Sequence, residues 1–154
     1  MLTAFFCNFL SSSSNSKQHE EELTMASAVQ ALYAAIFAHE NFKHRLQTFV
    51  EGTSKEVFTS QEVYFADRSE LGKWLLSVGK TKFAHISAFA SLVEHQKMFH
   101  FAAANVVSQL EAGKKDEAAF MLAGQFEHFS DAIIADLLRL RDAVEVNRKA
   151  VKRI

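Results

Sequence analysis

The sequence has no proline, one cysteine, one tryptophan and five glycines among 154 residues, and each shortage closes off a class of structure. Without proline, nothing in the chain bars the backbone from continuing a helix. The lone cysteine, Cys7, has no partner for an internal disulfide. That excludes a disulfide-held scaffold, fits a reducing compartment and makes a cytoplasmic location the expected one. Formal net charge is only −1, so there is no electrostatic case for nucleic acid as the main partner. No apolar run reaches the roughly 20 residues needed to span a bilayer, and residues 1–10, though apolar, lack the positive residues that precede a secretory core. There is no internal repeat, glycine-rich phosphate loop or nucleophile-elbow context, so no enzyme is expected.

What is present is a hydrophobic chain with fifteen phenylalanines, which implies one domain with a bulky interior. Residues 1–24, with four serines at 11–14, read as a flexible tail and connector, 25–148 as a helical bundle, and 149–154 as a basic tail. From about Glu20 the pattern is helical. Val29, Leu32, Ile36, His39, Phe42, Leu46 and Phe49 recur at spacings of three and four, an apolar stripe that turns His39 inward. Gly52 ends that helix, and residues 54–65 read as a connector holding a short helical or extended piece. Asp67 is placed to cap a helix starting near Ser69, Gly72 to permit close packing, and Trp74 to fill one end of the interior. After Gly79 one long helix is expected, with Gln96 as the polar member of its apolar face. Gly113 makes a turn, Asp116 caps the last helix, and that helix runs through Leu140.

Asp67, Ser69, Leu71, Gly72 and Trp74 fall within eight residues, and the run Ser-x-Leu-Gly-x-Trp resembles the Cys-x-Leu-Gly-x-Trp motif of the bacterial chemoreceptor zinc-binding (CZB) domains. The resemblance extends both ways. His39, Phe42, Lys43 and Leu46 are similar to the family's His-x-x-Trp-Lys-x-x-Leu signature, and Phe89, Leu92, Phe99 and His100 fit its Phe-x-x-Leu-x-x-x-His-x-x-Phe-His run. Ala123-Gly124 and Phe129-Ser130 stand where the family has an Ala-Gly turn and a Phe-Ser pair. The resemblance implies an all-α fold, a four-helix bundle with an extra short helix or connector. It also implies a zinc site at His39, Ser69, Gln96 and His100.

Two of those four positions depart from the family, with serine for cysteine and glutamine for histidine. A serine hydroxyl and a glutamine carbonyl are poor zinc donors, so zinc binding is expected to be weak or absent. Redox sensing through position 69 is excluded because serine carries no oxidisable thiolate. His95 is the nearest substitute for the missing histidine, but one residue's shift turns a side chain about 100° round the helix. A carboxylate at Asp67 or Glu94, or a neutral hydrogen-bonded network joining Ser69 and Gln96 to His39 and His100, are the other ways to fill the site.

The function this implies is a cytoplasmic sensory or regulatory domain acting through helix packing. Its output is expected to pass through a signalling protein such as a chemoreceptor or cyclic-di-GMP enzyme, or through self-association. The alternative is a structural helical interaction module that has lost its metal. A histidine-rich metal or oxygen carrier ranks last, because few carboxylates accompany the histidines at helical spacing.

Overall fold

In the computed structural model the backbone is described over residues 3–151, and side chains at 17, 19–147 and 149. The described chain is all-α, without strands. Helix α1 (Thr3–Val50) is followed by the short α2 (Ser60–Tyr64) and a 3-10 turn, Ala66–Arg68. A second rod joins α3 (Glu70–Trp74), a π-helical turn (Leu75–Gly79) and α4 (Lys80–Phe83). Then come α5 (Ser87–Glu111), α6 (Lys115–Met121), a second π-helical turn (Leu122–Phe126) and α7 (Glu127–Val151). Four rods thus form the bundle, and α2 with its 3-10 turn is the extra short piece. No helix among the described residues is long and apolar enough to cross a membrane.

The core sits where the apolar stripes of the rods meet: Leu32 and Leu46 of α1, Leu71 of α3, Leu92 and Phe99 of α5, and Ile133, Leu137 and Leu140 of α7 are all essentially sealed from solvent. Helix α1 runs antiparallel to α7, since Lys43 and Gln47 both reach Glu127 while His39 reaches Ser130. The rod α3–α4 runs antiparallel to α5. Ser69 lies beside Gln96 at one end, and Gly79 at the other is so close to Phe89 that a Cβ there would stand 3.1 Å from the ring.

Several local expectations need correction. The serines at 11–14 do not interrupt α1, which is helical from Thr3; with no glycine or proline between 3 and 50, the small propensity deficit of serine breaks nothing. Of the described side chains before Met25, none is buried. Likewise α7 stays helical to Val151, and 152–154 lie outside the described residues. The cap before α3 is Ser69, whose side chain accepts from the Gly72 N–H; Asp67 lies inside the preceding 3-10 turn. The segment after Gly79 is two helices, because Ile86 adopts extended angles before α5. Lys114, without a side-chain cap, precedes α6, and Asp116 lies in its first turn. Gly52 and Gly113 do take positive φ, 74° and 75°, as helix stops.

Candidate functional site

His39 from α1, Ser69 at the start of α3, and Gln96 and His100 one turn apart on α5 line a single internal crevice, walled by Phe42, Leu71 and Phe99. The space between atoms there is about 160 Å3, and no part is wide enough for a water molecule. His39, Gln96 and His100 are 2–3% exposed. Helical periodicity places His39, Gln96 and His100 on inward stripes, and Ser69 joins them as the extended cap residue that opens α3, so residues far apart in sequence meet at one core.

The two imidazoles are held differently. His39 Nε2 lies 2.9 Å from Ser130 Oγ on α7, and the ring packs edge-on against Phe99. Burial pulls its pKa down to about 3, with Lys43 and then His100 adding to the effect. His100 Nδ1 lies 2.6 Å from the Val63 carbonyl. A carbonyl only accepts, so Nδ1 carries the proton and Nε2 of the neutral ring carries a lone pair. Burial lowers this pKa also, against the opposing pull of the Val63 bond and of Asp67.

The Ser69 hydroxyl is fully committed. It donates to the Ala66 carbonyl at 2.8 Å and accepts from the Gly72 N–H and the Gln96 amide, each at 3.0 Å. One donation and two acceptances exhaust a hydroxyl. The neutral network expected from the sequence therefore divides in two: Ser69 and Gln96 bind each other, while His39 and His100 turn to Ser130 and Val63.

Among the described residues three buried side-chain atoms lack any hydrogen-bond partner, and two of them, Gln96 Oε1 and His100 Nε2, belong to the crevice. Each such group costs about 1–3 kcal/mol. Two sealed acceptors on one turn of α5 are a stability cost that packing alone does not explain.

These donors do not make a four-ligand zinc centre. His100 Nε2 offers a free nitrogen lone pair, but His39 Nε2 is engaged by Ser130, Ser69 has no lone pair left, and Gln96 offers a hard amide oxygen. Among the described residues no group of three histidine, cysteine or acidic side chains is arranged to hold an ion. No protein-family model, curated protein or solved structure matches this chain.

His95 is not part of the crevice. Its Nδ1 lies 2.7 Å from Asp136 Oδ2, and Arg139 holds the other oxygen of that fully buried carboxylate at 2.7 Å. The pair clasps α5 to α7. Sequence reasoning missed Asp136, although its signal was the same as that of Gln96: it stands between Ile133 and Leu137 in an apolar stripe. Asp67 is exposed, and Glu94 is occupied by Lys97 on the outer face. Trp74 is half-buried against Phe83, its indole N–H without a partner.

Gly72 earns its place at this site through the neighbouring 3-10 turn rather than a neighbouring helix. A Cβ there would overlap the Ala66 carbonyl oxygen and stand 2.8 Å from its carbon. Gly72→Ala is therefore expected to destabilise by about 3 kcal/mol, at the upper end of overpacking costs, because the obstacle is backbone that also accepts from Ser69. Urea unfolding measures this; a loss below about 1 kcal/mol would mean that the turn yields freely.

Proposed function

We propose that this chain is a sensory or regulatory helical module of the kind implied by its resemblance to chemoreceptor zinc-binding domains. In this reading it works in the bacterial cytoplasm and signals by a change in helix packing, either to a partner such as a chemoreceptor or cyclic-di-GMP enzyme or through self-association. The observation that carries the reading is the meeting of all four family ligand positions, His39, Ser69, Gln96 and His100, at one narrow crevice, three of them almost wholly buried and Ser69 partly so. Through Ser130 the fourth rod joins them. A polar centre that touches every rod, with two acceptors left unsatisfied, is a place where one new hydrogen bond or one proton alters how the rods pack.

A second reading, a structural interaction module that has lost its metal, is favoured by one observation. The Ser69 hydroxyl now serves entirely as a helix cap and as the acceptor for Gln96. Zinc content and affinity of the wild type, set beside a Ser69→Cys, Gln96→His double variant, test both readings. The wild type is expected to bind zinc weakly or not at all, and the double variant to take up about one ion with four N/S ligands. Tight wild-type binding that is lost in His39→Ala would exclude the structural reading. A double variant that folds yet stays empty would remove the support for the sensory one.

A further inference from the structure

On the far side of Gln96 from the crevice, α5 and the α3–α4 rod leave an open groove of about 730 Å3, floored almost entirely by apolar side chains. Its size falls within the range of small-molecule sites, which favour gaps between bundle helices. Leu76 and Phe101 on its rim are 67% and 48% exposed, and Tyr64 and Met98 beside them 55% and 43%. Large apolar side chains are left in water here as a contiguous set rather than singly, the pattern that marks a binding surface. From Phe89 to Phe101 the groove follows α5 over twelve residue steps, about 18 Å of helix, a length suited to an extended chain rather than a compact ring.

Charge along the groove is asymmetric. At the Phe89 end stands Lys80, which no carboxylate pairs with among the described residues, whereas Lys97 is already paired with Glu94. Toward the other end stand the aromatic rings of Tyr64, Phe65 and Phe101, with Asp67 and with Arg68 stacked over the Phe65 ring, so that opposite charges sit side by side there. We propose that this groove binds a single-chain anionic amphiphile, a fatty-acid carboxylate, with its head at Lys80 and its tail running over Leu76 and Met98 toward Phe101. Gln96 lines both groove and crevice, so a seated tail presses on the amide that holds the Ser69 cap of α3. Its test uses the wild type and variants at Leu76 and Lys80, neither of which lines the crevice, so its outcome is separate from that of the zinc test.

The experiment is titration of the full chain with dodecanoate and decanoate below their micelle concentrations, followed calorimetrically. Saturable binding is expected, with dodecanoate about 15-fold tighter than decanoate, since each buried methylene contributes a factor of about four. Leu76→Glu is expected to weaken dodecanoate by about tenfold or more, and Lys80→Glu by about fivefold; both positions are exposed, so the variants retain the fold. Equal affinity for the two chain lengths, no saturable binding, or an unchanged Leu76→Glu would overturn the proposal. So would a wild-type dimer that binds no dodecanoate and that Leu76→Glu splits, because the occupant would then be a second copy.

Discussion

Lowering the pH from 7.5 to 5 is expected to remove roughly 2 kcal/mol of folding stability through His39 alone. The unfolded imidazole takes its proton near 6.5, while burial holds the folded one down to about 3. Below 6.5 the unfolded state therefore binds a proton that the native state refuses, and stability falls as pH falls. The contribution is fully present above 6.5 and drains through the window from 6.5 to 3 at up to about 1.4 kcal/mol per pH unit, so that the loss reaches roughly 4 kcal/mol at the lower end. His100, shifted the same way by burial, adds to the slope. Urea unfolding at stepped pH measures the effect. His39→Gln, which keeps a donor toward Ser130 but cannot titrate, is expected to flatten the curve over this window relative to wild type. An equally steep curve in the variant would locate the protons elsewhere.

The physical origin of that sensitivity is also the reason the crevice was partly legible in the sequence. His39 and Gln96 occupy positions in apolar stripes where periodicity demands a hydrophobic residue, and a polar side chain there must find partners inside the core. Periodicity therefore shows that His39 and Gln96 are inward. Their partners are another matter, because they come from other rods: Ser130 for His39, Ser69 for Gln96, and the backbone carbonyl of Val63 for His100. No spacing within one helix encodes which turn of another helix it will face. The same limit hid the His95–Asp136 clasp, whose members are on separate helices.

Boundaries were less legible than faces, for local reasons. The cap before α3 went to Ser69 rather than Asp67, since a 3-10 turn at Ala66–Arg68 uses Asp67 inside itself and leaves the extended residue two positions later. Gly79, a plausible helix stop, instead lies in a π-helical turn where its missing Cβ lets Trp74 and Phe89 close over the backbone. Gly124 marks a true break in direction, with non-helical angles inside the turn that leads to α7. A glycine announces that the backbone or a neighbour needs room. Whether that means an ending, a kink or a close approach depends on what packs beside it.

Phe99→Ala is expected to destabilise the protein by about 3–5 kcal/mol. Phe99 is fully buried and is the hub of the aromatic cluster: ring centroids of His39 and Phe126 lie 4.7 Å away, that of His100 5.5 Å and that of Phe42 6.0 Å. Its neighbours sit on α1, α5 and the π-helical turn before α7, so they cannot all relax into the void together, and the cost falls toward the upper part of the range for such truncations. For a chain of this length the melting temperature should drop by about 10 °C. A second consequence separates this residue from any other core phenylalanine. The void opens beside the His39 ring, where water can enter and relieve the desolvation that holds the pKa down. The truncated protein should therefore be less stable at pH 7.5 yet lose less additional stability on acidification than wild type. Unfolding measured at both pH values decides the matter: a parallel loss at the two pH values would show that Phe99 contributes packing alone, and a narrowing gap that it also keeps the polar centre dry.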